Sequence, residues 1–240
     1  MQEYFAKERC NNEFILSSQD NFHIERVLRM KQGDHIIVIY NEAKYDCIVS
    51  FSNGVKVSIV SKLEVDNELN VNVTLIYGIP KRDKFEFVIQ KMCELGVNAI
   101  VPFAAKRSIS IIDEKNSSKK IERWNMIAKE ACEQSKRNKL VTVEEPVKLK
   151  DILNYKSDLN LVAYEDLSCN GSKHLYDLLA GGYRSITIVV GPEGGFDKSE
   201  IDFLLSNDFV SVSLGKRILR SETAPLYMMS VIGFMNEREC

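Results

Sequence analysis

The sequence predicts an α/β protein, built as a small N-terminal β-barrel followed by a parallel sheet flanked by helices. Three observations predict it. From His35 to Val60, short β-rich runs are separated only by turn residues, with no long helical period between them. From Val71 onward, strand patterns alternate with amphipathic helical ones, the mark of βαβ units and a parallel sheet. Between the two lies a polar, charged stretch, Ser61–Asn70, the expected linker, so the expected domains are residues 1–70 and 71–240.

The elements follow in order. Asn21–Asp34 (NFHIERVLRMKQGD) reads as a helix with Ile24, Val27 and Leu28 on one face and Gly33 at its end. HIIVIY (His35–Tyr40), YDCIVSF (Tyr45–Phe51) and VKVSIV (Val55–Val60) read as an antiparallel meander, with a turn at Asn53-Gly54. VNVTLIYGI (Val71–Ile79) is a strand rich in β-branched residues. Asp83 and Glu86 form a D-x-x-E capping box; the helix it opens carries the stripe Phe85, Val88, Ile89, Met92, and Gly96 stops it. VNAIVPF (Val97–Phe103) is the next strand. Ile121, Trp124, Ala128, Ala131 and Cys132 mark a further helix, and Leu159–Glu165 and Ser185–Val190 two further strands. A second capping box, Asp197 with Glu200, starts a helix to Leu205, with Phe196 and Ile201 placed as a hydrophobic staple. Phe209–Leu214 is a strand. The last helix begins near Thr223, accommodates Pro225 in its first turn, and is apolar nearly all round through Leu226, Met228, Met229, Val231, Ile232 and Phe234. A surface helix carries a polar face, so this one is expected to be covered on both sides, one of them by a partner subunit.

Composition narrows the function. Of 240 residues, 45% are hydrophobic and 28% charged, enough for one substantial core and a smaller one. No run approaches the ~20 apolar residues of a membrane helix, and MQEYFAKER places charges where a signal peptide needs an apolar run; a cytoplasmic protein without membrane association is expected. Cys10, Cys47, Cys93, Cys132, Cys169 and Cys240 form no CxxC-type pair and read as free thiols. With three scattered histidines as well, no metal site is expected. The net charge of −2 does not announce a nucleic-acid binder, so that reading rests on local basic clusters.

Two glycine-bearing loops follow strands directly: GPEGGF (Gly191–Phe196) and GKRILRSET (Gly215–Thr223). In open α/β sheets, ligands bind beyond the carboxyl ends of the strands, and glycines there let backbone groups approach a ligand without a Cβ in the way. Two such loops from neighbouring strands would share one pocket; the alternative is a pair of ordinary strand–helix turns. The phosphate motifs GxGxxG and GxxxxGK[ST] and the nucleophile elbow GxSxG are all missing. Glu193 and Asp197 would also repel a pyrophosphate at that helix start. What remains suits a ligand held by backbone groups and carrying positive charge. A sulfonium fits.

IERVLRM (Ile24–Met30), KFEFVIQKMCELGV (Lys84–Val97), ACEQSKRN (Ala131–Asn138), VGPEGGF (Val190–Phe196) and LGKRILRSETA (Leu214–Ala224) together resemble the RsmE family. These are small-subunit rRNA methyltransferases of the SPOUT superfamily, acting on uridine N3. The resemblance spans nearly the whole chain in the same order. It implies a C-terminal SPOUT-type parallel sheet with a deep trefoil knot, an exception to the unknotted rule, and a PUA-like N-terminal barrel that docks RNA. It further implies S-adenosylmethionine bent among the knot loops, and a homodimer with the active site near the subunit interface.

The residue roles follow from that resemblance. Arg220 is the first candidate to stabilise negative charge on the base or to grip a phosphate. Glu222 or Glu193 is a candidate proton acceptor, or else a helix cap. The expected cofactor contacts are Gly191, Glu193, Gly194 and Gly195 in one loop, and Leu214, Gly215, Ile218, Leu219 and Arg220 in the other. Ala163, Tyr164 and Glu165 supply a third wall. For RNA, Arg26, Arg29 and Lys31 form one basic cluster. Lys81, Arg82 and Lys84 form another, at a helix start that disfavours cations, and Arg107 is a further candidate. Lys136, Arg137 and Lys139 sit at a helix end that already favours them. Two other classes stay open: a non-catalytic RNA-binding assembly factor, and the same fold methylating a ribose 2′-hydroxyl or another base. A dehydrogenase is a remoter third.

Overall fold

Six short strands near the N-terminus form one sheet in a computed structural model that describes residues 1–81, 84–108, 114–164 and 173–237. They are β1 (Glu3–Phe5), β2 (Glu8–Cys10), β3 (Glu13–Ile15), β4 (His35–Tyr40), β5 (Ala43–Ser50) and β6 (Lys56–Leu63), in the order β1-β4-β5-β6-β3-β2. β1 lies parallel to β4 and the other pairs are antiparallel. Tyr4 of β1 and Phe14 of β3 stand far apart in that order, yet share one apolar cluster with Ile36, Val38, Cys47, Val49 and Val57. The sheet therefore curls around its own core, and a register shift at Asp46/Cys47 accentuates the bend.

The helix expected at Asn21–Asp34 differs in bounds and facing. α1 (Ser18–Phe22) starts earlier, capped by Ser17, whose side chain accepts from the Asp20 N–H while Asp20 accepts from the Ser17 N–H. A single π-helical turn, His23–Val27, continues it, with the Leu28 N–H donating to the His23 carbonyl at 2.9 Å. The extra residue in that turn rotates the helical face. Ile24 is fully buried, but Val27 and Leu28 are 57% and 42% exposed, which corrects the expected three-residue stripe. Gly33 (φ +90°) belongs to the turn before β4, where its N–H donates to the Val49 carbonyl.

The expected linker is also more structured than its composition suggests. β6 extends to Leu63, and Glu68 is a buried anchor. Its carboxylate accepts from Arg137 Nε at 2.9 Å and Nη2 at 2.6 Å, and from the N–H groups of Asn138 and Lys139 at 2.8 and 3.0 Å. A second buried pair joins Lys44 to Glu3 at 3.0 Å, and Lys44 also donates to the Lys136 carbonyl. These contacts make Cys132–Leu140 part of the first compact unit with Met1–Glu68; the second comprises Leu69–Ala131 and Val141–Cys240. A boundary drawn at residue 70 has no place for that return of the chain.

The second unit contains β7 (Asn72–Gly78), α2 (Lys84–Glu94), β8 (Ala99–Phe103), α3 (Glu114–Gln134, whose last residues belong to the first unit) and β9 (Thr142–Val143). After a 3-10 turn at Leu149–Tyr155 come β10 (Leu159–Ala163), β11 (Lys173–His174), α4 (Leu175–Leu179), β12 (Ser185–Val190), α5 (Lys198–Leu205), β13 (Val210–Ser213) and α6 (Thr223–Asn236). All seven strands are parallel, in the order β11-β13-β10-β12-β7-β8-β9.

Helices cover the central strands on both faces, which is why those strands read as continuous apolar runs. Ile76, Val101, Val162 and Val189 pack with Ile201 and Leu204 of α5, and Phe196 joins them as the expected staple. The α2 stripe is buried, with Phe85 stacked on Tyr77 at 5.7 Å and tilted against Trp124 at 4.4 Å. Asp197 caps α5 in a full capping box with Glu200. Asp83, the expected cap of α2, lies outside the described residues, as does Glu165. α6 buries Ala224, Pro225, Met228, Met229 and Ile232, and leaves Tyr227 and Phe234 exposed.

Candidate active site

The two glycine loops do converge, but not from adjacent strands. β10 lies between β12 and β13, so its end supplies the middle of the site. Together the three strand ends enclose a cavity of about 670 Å³, within the ~300–1,000 Å³ usual for small-molecule sites. Ala163 and Tyr164 line it from β10; Gly191, Glu193 and Gly195 from the loop after β12; Leu214, Ile218, Leu219, Arg220 and Glu222 from the loop after β13. Gly194 and Gly215 are not on the wall. A Cβ on Gly194 would come within 3.1 Å of the Arg107 side chain and 3.2 Å of its carbonyl oxygen, and Gly215 turns the chain at φ +110°.

Sequence reasoning missed the brace behind these loops, which comes from the end of β7 and the start of α2. The Lys84 ammonium lies 3.1 Å from Glu222 and 3.4 Å from Glu193. The Lys81 N–H donates to both Glu193 oxygens, at 3.2 and 3.3 Å. The Tyr77 hydroxyl donates to Ser221 Oγ, which donates to Glu222, both at 3.3 Å. Lys84 thus has internal counter-charges from two loops. Only its position at a helix start, where a cation is disfavoured, hinted at this.

Electrostatics separates the polar groups by role. Burial opposes ionisation of Glu222, but its own backbone N–H, the Lys84 ammonium and the Ser221 hydroxyl outweigh it and hold the carboxyl below its ordinary range. Burial pushes the Tyr77 phenol up, which keeps it a neutral donor. Arg220 is exposed and forms no ion pair with any described residue; its carbonyl accepts from the Thr223 and Ala224 N–H groups and starts α6. Its guanidinium is therefore available at the rim. Ile218 is 82% exposed there, unusual for a large apolar side chain.

A close backbone approach holds the first loop. A Cβ built on Gly78 would lie 2.5 Å from both Cδ and N of Pro192 and 3.0 Å from the Gly191 carbonyl carbon. Gly78→Ala must push that loop off β7. The expected cost is about 1–3 kcal/mol, read as a lowered thermal midpoint; an unchanged midpoint would show that the loop yields freely.

Of the basic candidates, Lys84 and Arg107 line the cavity. Arg107 Nη1 donates to the Gly194 carbonyl at 3.4 Å, and its Nη2 lies 3.7 Å from Asp197. Arg26 is exposed beside Glu25 at 3.5 Å, Arg29 adopts φ +50°, and Lys31 and Lys81 are exposed. Arg82 lies outside the described residues. Arg137 is buried against Glu68, so that member of the third basic cluster is structural. Among the described residues no group of His, Cys, Asp or Glu is placed to hold a metal ion, and no helix is long and apolar enough to cross a membrane.

Comparison with known proteins places this geometry. Residues 67–233 match the RNA methyltransferase domain family. The chain is 37% identical to the ribosomal RNA small subunit methyltransferase E of Bacillus subtilis, covering 99% of this chain and 98% of the relative. It is 35% identical to the protein of that name from Mesomycoplasma hyopneumoniae, over 96% of this chain and 98% of that one. Among solved structures, a Neisseria gonorrhoeae ribosomal RNA small subunit methyltransferase E bound to S-adenosylmethionine superposes with a TM-score of 0.87 at 28% identity, covering 98% of each chain. A Legionella pneumophila methyltransferase in complex with the same cofactor gives 0.88 at 30% identity, also over 98% of each chain. With the family domain matched over most of its length and such relatives aligned end to end, this chain belongs to the ribosomal RNA small subunit methyltransferase E family.

Proposed function

We propose that this protein transfers a methyl group to N3 of a uridine in small-subunit ribosomal RNA. The enzyme is an S-adenosylmethionine-dependent rRNA methyltransferase; the acceptor atom and the residue roles are our reading. The observation that carries it is one cavity shared by three strand ends, with an arginine at its rim that forms no ion pair among the described residues.

The cavity fits the donor. Its volume suits a nucleoside-sized ligand, Gly191 and Gly195 bare their backbone to it, and Leu214, Ile218 and Leu219 offer apolar contact to a flat base. When bound, S-adenosylmethionine supplies an electrophilic methyl group on a sulfonium. The chain's own residues must then align the acceptor with that methyl, a proximity task. Uridine N3 is a poor nucleophile until it loses its proton. Arg220 at the rim stabilises the negative charge that develops on the base. Glu222 is a weak acceptor for that proton, because Lys84, Ser221 and its own N–H already stabilise its ionised form. Glu193 remains the other candidate acceptor, and the reading uses no metal.

The same reading treats the first unit as a PUA-like RNA-docking barrel and the second as a knotted SPOUT domain, in a cytoplasmic homodimer. The curled sheet supports the barrel. The sheet order, with β10 between β12 and β13, supports a knotted crossover. The exposed Tyr227 and Phe234 on α6 support a partner subunit.

Mass spectrometry of small-subunit RNA from cells lacking the protein tests the proposal. One N3-methyluridine should disappear; an unaltered set of methylated uridines overturns it. For docking, Arg26→Glu with Arg29→Glu should weaken RNA binding roughly 100-fold at low salt and flatten its salt dependence, leaving S-adenosylmethionine affinity intact. Equal loss of both affinities would point to a misfolded barrel instead.

A further inference from the structure

Lys84 is the first residue of α2, where the helix dipole disfavours a cation. Its ammonium nevertheless sits between two carboxylates from different loops, 3.4 Å from Glu193 after β12 and 3.1 Å from Glu222 after β13. Nothing else among the described residues is within ion-pair distance of either carboxylate. The bridge does not stand alone. The Lys81 N–H binds Glu193 from the same segment, and the buried Tyr77 hydroxyl reaches Glu222 through Ser221. Tyr77, Lys81 and Lys84 therefore together grip both walls of the cavity.

We infer that Lys84 is a positioning residue that sets the spacing of the two loops and so the fit of the methyl donor, rather than an RNA-docking residue. The inference rests on the cavity being the S-adenosylmethionine site. The Lys84 side chain is 39% exposed and that of Glu222 16%. Each half of an exposed ion pair contributes little, but two halves joined through one lysine act together on the gap between the loops. Without the lysine, both ion pairs that tie the loops to α2 are lost, and the loops spread. An arginine at this position would keep the cation and the reach.

The test is calorimetric titration of the full-length protein with S-adenosylmethionine, without RNA, alongside the KM for unmethylated small subunits. Lys84→Met should bind the cofactor roughly tenfold more weakly, with the KM for subunits unchanged, and Lys84→Arg should recover most of the loss. Adding Glu222→Gln to Lys84→Met should cost little further affinity, because the shared contact is already gone. Unchanged cofactor affinity with a raised KM for subunits would overturn the inference and return Lys84 to RNA docking. A lowered thermal midpoint with unchanged cofactor affinity would also overturn it. Failure of the wild-type protein to bind cofactor at all would defeat the reading of the cavity together with this inference, so the two failures are distinct.

Discussion

Arg220→Ala is expected to lower methyl transfer by at least about a thousandfold while leaving S-adenosylmethionine affinity within a few-fold of wild type. The magnitude follows from removing a preorganised donor aimed at developing charge, typically worth ~10²–10³ in rate, together with misorientation of the acceptor. The split between turnover and affinity follows from geometry. The guanidinium lies at the rim without an ion pair among the described residues, so its loss strands no buried charge. Its carbonyl, which starts α6, survives the substitution. Single-turnover kinetics with saturating cofactor give the rate, and calorimetry gives the affinity. Near-normal single-turnover rates would remove Arg220 from the chemistry.

Glu68→Ala is expected to be the most destabilising substitution in the first unit. It would leave the Arg137 guanidinium, whose side chain is only 3% exposed, without its carboxylate, and would orphan the N–H groups of Asn138 and Lys139. Breaking a buried pair in this way costs about 3–5 kcal/mol. The pH dependence has a defined sign. Burial opposes ionisation of Glu68, but Arg137 and the two N–H donors outweigh it and hold the carboxyl below its ordinary value of 4.5. Its contribution is therefore complete above that value and is lost as pH falls through the lower, folded one. Acid titration of thermal stability should show this loss in wild type and not in Glu68→Gln. An identical acid profile in the two proteins would refute the assignment.

Local patterns in the sequence were enough for much of this architecture. The α2 stripe, the capping box at Asp197, the Phe196–Ile201 staple and the apolar runs of the individual strands all depend on neighbours within a few residues, and each is legible on that scale. The three-residue strands β1 to β3 are too short to show a period. The π-turn at His23–Val27 inserts a residue that no helical wheel anticipates, so Val27 and Leu28 point away from the expected core. The return of Cys132–Leu140 to the first unit depends on Glu68 and Arg137, which are 69 residues apart with β7, α2, β8 and α3 between them. At the site, glycine and LRSET motifs located both loops, and LNLVAYE gave the middle wall. The brace through Tyr77, Gly78, Lys81 and Lys84 was hidden because it depends on contacts across more than a hundred residues. Its one trace was a lysine at a helix start.

Diffraction from crystals of this protein grown with S-adenosylmethionine tests the account most directly. Density for the cofactor should lie between Gly191–Gly195 and Leu214–Arg220, beside Ala163 and Tyr164, with its methyl group turned toward the rim where Arg220 stands. Cofactor bound elsewhere, or this cavity filled by Ile218 and Leu219 at saturating cofactor, would contradict it.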